Sequence, residues 1–385
     1  MRVCFIEDTE LHGGTQIWVA EATRYFLNAG VDVTVLTPES GWVGPRCHDM
    51  GARVVTYDYR RVTAGRDEER TIWGAAMKDA DLAVCTVHPP RDGFHCSRFA
   101  ASVIEDFGLT TILVPKTGTI VPEYLREYYH PEEPINFSVV SITRFTQDYL
   151  VENYGIPAEK VCLTYQGTDV DLFTRSDSRR AEALKRYSLP AGATPILGNV
   201  GSFEERKGQT VLLEAVAEIR QTFPEVHLML VGDGPDEEKL KQAVETMGLS
   251  DNVSFFPFTN EPVYLYEVID LLVLPSLYKE GLPNVLLEAM SMECPVVASR
   301  LAGIPEVVVN DETGYMVEPG NARALALSVV KLWSDKKAYA NMAANARRLM
   351  ETGFDKKRQF GAFIDHFQEL RQGIGNHCGV PCAQA

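Results

Sequence analysis

Short apolar runs alternate along the chain with longer stretches whose apolar residues recur at helical spacing. In the first half the runs Arg2–Ile6, Val31–Leu36, Arg53–Thr56, Leu82–Val87, Thr111–Val114 and Ser138–Ser141 predict strands. Thr15–Asn28 predicts a helix, with Trp18, Ala22 and Phe26 on one face and Ala29-Gly30 as its stop. The second half repeats the pattern. Strands are predicted at Pro195–Gly201, His227–Val231, Asn252–Phe256, Asp270–Pro275 and Pro295–Ser299. Helices are predicted at Gln209–Phe223, Asp236–Met247, Pro262–Val268, Pro283–Met292, Ala322–Ser334 and Lys337–Met350. Strands that alternate with helices in this way predict an α/β protein with parallel sheets and crossover helices.

The character changes around Val161–Phe173, a strand end followed by a turn, and a polar stretch from Arg175 to Arg186 follows. The expected division is a first domain over residues 1–170 and a second over 171–356, with a tail at 377–385. The amphipathic stretch Lys357–Gln372, within 357–376, is expected to pack back on the first domain. A length of 385 residues suits two such domains, each with its own core.

Charge and composition narrow the function classes. A net charge of −16 argues against nucleic acid and against general attraction to an anionic membrane. Arg60, Arg61, Arg66 and Arg70 cluster, but Asp67, Glu68 and Glu69 interleave with them, which reads as a solvated surface. No apolar run approaches the roughly 20 residues that span a bilayer. The start reads as a first strand, so a soluble, cytoplasmic protein is expected. Of the eight cysteines, Cys4, Cys85, Cys162 and Cys294 sit in or beside apolar runs and read as buried thiols. Cys378 and Cys382 follow His377 in a tail that reads as disordered and too poor in ligands for zinc.

The densest chemistry lies between Leu277 and Met290. Pro283 suits the first position of a helix, because its φ is preset and it lacks an N–H that would be unpaired there. The N–H groups of Asn284, Val285 and Leu286 would then offer an anion site at a positive helix end. Glu280 precedes that helix and Glu288 lies about one turn inside it. A phosphate site with a hydroxyl-accepting carboxylate on each side suits a nucleotide sugar.

Several segments in order strengthen this reading: Gly13-Gly14 before the first helix; Val200-Gly201 with Arg206-Lys207-Gly208; Val231-Gly232-Asp233-Gly234-Pro235; the Glu280–Glu288 block; Pro295–Ser299; Gly303-Ile304-Pro305-Glu306; and Gly314 with Pro319-Gly320. With them the chain resembles the family-4 retaining glycosyltransferases of the GT-B architecture, two Rossmann-like domains facing across a cleft. The resemblance covers nearly the whole chain and is strongest from about Gly198 to Gly320.

The resemblance implies roles. Glu280 would face the donor sugar, Glu288 would bind the ribose hydroxyls, and Lys207 would bind the diphosphate. The family often has an arginine near Ser202, and Arg206 is the substitute expected here. Gly13 and Gly14 would let backbone approach the diphosphate. Gly232, Phe258, Gly281, Leu282, Pro283, Asn284 and Val285 would complete the donor site. Family members usually carry a histidine after the strand Thr111–Val114. Here Lys116 or Thr117 stands at that place, both candidates for a role near the reacting sugar, and His88 is expected on the acceptor side. Asp169-Val170-Asp171 spells a metal-binding Asp-x-Asp but falls in the interdomain turn, so no metal and no cofactor are expected. The implied activity is transfer of a sugar from a nucleoside-diphosphate donor to an acceptor hydroxyl, with retention and without a metal. The acidic balance leans toward a saccharide or small-molecule acceptor over a lipid. The missing histidine keeps a transfer-deficient sugar-nucleotide binding protein open, and a nucleotide-sugar epimerase is the other alternative.

Overall fold

Among the described residues the apolar runs become thirteen strands in two sheets. The computed structural model describes residues 1–9, 14–88, 94–118 and 120–373. Gly13 and the tail with Cys378 and Cys382 lie outside the described residues. The first sheet comprises β1 (Arg2–Ile6), β2 (Asp32–Pro38), β3 (Arg53–Tyr57), β4 (Leu82–Val87), β5 (Ile112–Thr117), β6 (Val139–Ser141) and β7 (Val161–Leu163). Its spatial order is β3-β2-β1-β4-β5-β6-β7. The second comprises β8 (Ile196–Val200), β9 (His227–Val231), β10 (Val253–Phe256), β11 (Leu271–Leu274), β12 (Val296–Ser299) and β13 (Gly314–Val317), in the order β10-β9-β8-β11-β12-β13.

Neighbouring strands are parallel, with Phe5 beside Val35 and Val84 in the first sheet and Leu197 beside Leu228 and Leu271 in the second. Each order reverses once, between β1 and β4 and between β8 and β11. In open parallel sheets that reversal opens a crevice at the carboxyl ends of the strands, where ligands bind. Two Rossmann-like units result, one of residues 1–165 with the chain from Lys357 onward, the other Gln166–Lys356.

The last helix, Lys356–Arg371, supplies core to the first unit. Phe360, Phe363 and Phe367 are at most 1% exposed and pack on Trp18 and Phe26. Cys4, Cys85 and Cys294 are buried free thiols, and Cys162 is buried.

Two expectations change. The stretch from Arg175 to Arg186, read only as polar and given no element, forms the helix Asp177–Tyr187 in the second unit. It buries only Ala183 and Tyr187, so its apolar period is faint. Strand β5 runs on past Val114: Pro115, Lys116 and Thr117 pair with Cys85, Thr86 and Val87. The apolar run ends at Val114, but the pairing with β4 does not.

Candidate functional site

In the second unit, the loops leaving β8 and β11 meet at the strand-order reversal. Gly208 makes the approach possible. It adopts φ +68°, and a Cβ there would lie 2.1 Å from the Pro275 carbonyl oxygen. Leu277 N–H donates to the Arg206 carbonyl at 2.7 Å. Lys207 Nζ donates to Glu280 Oε1 at 2.5 Å, and Ser276 Oγ donates to the same oxygen at 2.7 Å. The Glu280 side chain is 7% exposed, so this is a half-sheltered ion pair rather than a surface one.

Arg206 is oriented by Glu204. Its Nε and Nη2 donate to the two Glu204 oxygens at 3.0 Å each. Ser202 Oγ also donates to Glu204. Burial raises the Glu204 carboxyl, but the bonds from Arg206 and Ser202 outweigh it and hold the group below the usual range. Arg206 Nη1 lies 3.4 Å from the Lys279 carbonyl and 3.8 Å from Glu280 Oε1.

Beyond Glu280 the chain enters the helix Asn284–Ser291. Pro283 is not its first residue, as the sequence suggested, but its cap. Its φ of −65° suits either place, and its ψ of 131° is extended. Leu286 N–H returns to the Pro283 carbonyl at 3.1 Å. The N–H groups of Asn284 and Val285 therefore lead the helix, ahead of its hydrogen-bonded turns. Gln166 Nε2 donates to the Asn284 side chain. Gly281 accepts from Gly303 N–H at 3.1 Å, and Leu282 is 4% exposed, so both fix the loop from within. Glu288 Oε2 accepts from the fully buried Tyr266 hydroxyl at 2.8 Å. Gly232 is a backbone crossing, since a Cβ there would lie 2.1 Å from the Gly201 carbonyl oxygen. Phe258, just after β10, is 59% exposed. Asp169 Oδ1 accepts from Leu172 N–H at 3.0 Å, closing its own turn.

In the first unit the corresponding reversal gathers titratable groups around His88, of which the sequence reading named only that histidine. His88, after β4, places Nε2 2.7 Å from Asp8 Oδ1, after β1. Asp8 Oδ2 accepts from Cys96 N–H at 3.1 Å. Burial alone would raise the Asp8 carboxyl, but His88 and that N–H hold it below its usual range. Next to it, Glu7 Oε1 accepts from Gln16 Nε2 at 2.8 Å and Thr9 N–H at 3.0 Å. Burial, then the charge of Asp8, push Glu7 up to about 7. Two carboxylates directly after an apolar strand were the available signal for this cluster. Ser276, two residues after β11, was the matching signal in the second unit; Glu204 and Tyr266 gave none.

Asp8, His95 and Cys96 bring an oxygen, a nitrogen and a sulfur within 4.8 Å of one another. His95 Nδ1 accepts from Ser97 N–H at 3.1 Å, which puts the ring proton on Nε2. A ligating histidine points its other nitrogen at an acceptor, not at a donor. The His88 N–H stands 3.4 Å from Nε2. Burial lowers His95 to about 4, so it stays neutral. The group is a hydrogen-bonded cluster rather than a metal site.

Lys116 and Thr117 lie inside the unit. Lys116 is 3% exposed, with Nζ 4.6 Å from the Trp18 ring centroid. Thr117 Oγ1 accepts from Ile142 N–H at 3.1 Å. Gly14 opens the helix Gly14–Asn28.

Residues 181–349, which hold the Lys207–Glu280 pair and Glu288, match the family profile of the glycosyl transferases group 1. A Mycolicibacterium smegmatis relative is 30% identical over 293 residues, covering 74% of this chain and 72% of its own length. The chain belongs to the glycosyl transferases group 1. That relative is named a GDP-mannose-dependent alpha-(1-6)-phosphatidylinositol monomannoside mannosyltransferase. A Mycobacterium tuberculosis protein of the same name is 27% identical over 363 residues, 87% of this chain and 89% of its own. The fold matches a crystal structure of Anabaena HepE in complex with UDP, with a TM-score of 0.83 at 19% identity, covering 96% of this chain and all of that one. The two parallel units are therefore those of a GT-B glycosyltransferase. Among the described residues no helix of this group 1 glycosyltransferase is long and apolar enough to cross a membrane.

Proposed function

We propose that this glycosyltransferase moves a sugar from a nucleoside-diphosphate donor to an acceptor hydroxyl, retaining the anomeric configuration and using no metal at the donor phosphates. The observation that carries the reading is Lys207, bonded to Glu280, which Ser276 also holds, in the loop that leads into the helix Asn284–Ser291. Departure of a diphosphate builds negative charge on its oxygens. A lysine and a helix N-terminus fixed in advance stabilise that charge without a metal ion. Glu288, oriented by Tyr266, suits the ribose hydroxyls, and Glu280 suits the donor sugar. The relatives' GDP-mannose dependence supports a nucleoside-diphosphate sugar, and their alpha linkage is the one retention gives from an α-linked donor. In a retaining reaction the leaving phosphate can take the acceptor proton on the same face, which makes a histidine at Lys116-Thr117 dispensable. The same relatives act on a phosphatidylinositol mannoside, so a lipid-borne sugar joins saccharides and small molecules as an acceptor class, against the leaning drawn from charge. We place the reaction in the cytoplasm.

The test is a thermal-shift panel of UDP, GDP, ADP and dTDP with their sugars. A ligand at 100 times its Kd stabilises by about 2.7 kcal/mol. Lys207→Ala and Glu288→Ala should remove the shift. Transfer should survive EDTA, and NMR of the product should show the donor's anomeric configuration. A panel with no shift would sink the donor reading.

A further inference from the structure

Lys279 holds a left-handed backbone, φ +55°, immediately before Glu280. Residues with a Cβ keep that conformation when their surroundings impose it. What surrounds it is Arg206. Its Nη1 donates to the Lys279 carbonyl at 3.4 Å, and its own carbonyl receives Leu277 N–H at 2.7 Å, two residues before the strained position. The guanidinium is in turn fixed by Glu204, which takes Nε and Nη2 at 3.0 Å each. Three of the five N–H donors of the fork, at Nε, Nη1 and Nη2, thus serve groups of the protein itself. Nη1 stands 3.8 Å from Glu280 Oε1, beyond hydrogen-bond length, so the direct bond to that carboxylate comes from Lys207.

We infer that Arg206, set by Glu204, is a positioning residue: it holds Lys279 left-handed so that Glu280 reaches Lys207 and Ser276, and it is not itself a ligand of the donor diphosphate. This rests on the donor reading and deepens it. The diphosphate is met by one lysine and the helix N–H groups, while the neighbouring arginine is spent on the shape of the corner. Arginine suits that task because its planar fork can grip Glu204 through two nitrogens and still reach a carbonyl, which a lysine cannot do.

The experiment measures the Kd of the nucleoside diphosphate found by the panel, by calorimetry, in wild type, Arg206→Ala, Lys279→Gly and the double variant. Glycine adopts the left-handed region at no steric cost, so it replaces what Arg206 imposes. Arg206→Ala should weaken binding about tenfold, and the double variant should recover most of that loss. Lys279→Gly alone should stay within about twofold of wild type. Arg206→Lys, which keeps the charge and loses the fork, should behave as Arg206→Ala. A loss in Arg206→Ala that persists undiminished beside Lys279→Gly makes Arg206 a phosphate ligand and overturns the inference. So does no loss at all. Hydrogen exchange across Leu277–Gly281 without ligand separates this from the donor reading. Exchange should rise in Arg206→Ala, and unchanged exchange overturns the inference whatever the nucleotides do.

Discussion

Lys207 Nζ donates to Glu280 Oε1 at 2.5 Å across two loops whose residues are 73 positions apart in sequence. The lysine proposed to meet a diphosphate is thus already paired with a carboxylate. A ligand phosphate has to share or replace that partner. Glu280→Gln keeps the shape and removes the competing charge. We expect it to tighten nucleoside-diphosphate binding by roughly 1 kcal/mol, about fivefold, while sugar transfer falls. Calorimetry and a transfer assay check the two halves. Weaker nucleotide binding in Glu280→Gln would mean that the Glu280 charge holds Lys207 ready for the phosphate and does not compete with it.

The Asp8–His88 pair belongs to the first unit, and its loss should be felt there. Asp8→Ala leaves the Cys96 N–H and the His88 ring without the carboxylate each now faces. Removing one partner of a buried charged pair exposes the desolvation penalty of the other. Urea unfolding should show a loss of about 2–4 kcal/mol. Nucleoside-diphosphate Kd should stay within about twofold, because Lys207, Glu280 and Glu288 all lie in the second unit. A variant of full stability would show that Asp8 is not the buried anchor described.

What the sequence made legible follows from how strongly burial is written into it. The stretch Lys357–Gln372 was read as amphipathic, and the structure shows why: Phe360, Phe363 and Phe367 recur at helical spacing and are buried. Asp177–Tyr187 buries two residues, and its period was invisible. Strand β5 was cut short at Val114 because Lys116 and Thr117 are polar, although both are interior. Pro283 was placed one position too far into its helix, since φ is all that proline fixes. In the proposed donor site Lys207, Glu280 and Glu288 could each be picked out individually. The ion pair between the first two could not, because nothing local encodes a contact between distant loops. Glu204 and Tyr266 carried no pattern at all; they act by orienting other side chains.

Two glycines with nearly the same backbone separate conformational cost from crowding. Gly30 has φ +74° and nothing within 4 Å of a built Cβ, whereas Gly208, φ +68°, would place its Cβ 2.1 Å from the Pro275 carbonyl oxygen. Gly30→Ala should cost about 1 kcal/mol, the penalty of the left-handed region for a residue with a Cβ. Gly208→Ala adds a backbone clash at the junction of the two donor loops, and should cost roughly 3 kcal/mol or more. It should also abolish nucleotide binding, which Gly30→Ala should leave intact. Equal losses of stability in the two variants would contradict the contact between the loops.

Lys116 offers a test of burial through pH. Burial lowers its amine from 10.5 to about 7. Between those values the unfolded chain binds a proton that the folded protein does not, so stability rises with pH there. Below pH 7 the folded protein carries the buried charge at full cost; above 10.5 neither state is charged and the cost is gone. Lys116→Met removes the group at similar volume. It should therefore stabilise the protein at neutral pH, and the gain should shrink by up to about 1.4 kcal/mol per pH unit as pH rises from about 7.5 to 9.5. Glu7 titrates in the opposite sense, since its raised group loses stability as pH climbs from 4.5 to about 7. The comparison is free of it above that range. Nucleotide binding should be unchanged in Lys116→Met. Denaturation curves of the two proteins that stay parallel across the alkaline range would put the Lys116 amine in water, and would return it to the list of groups able to touch the reacting sugar.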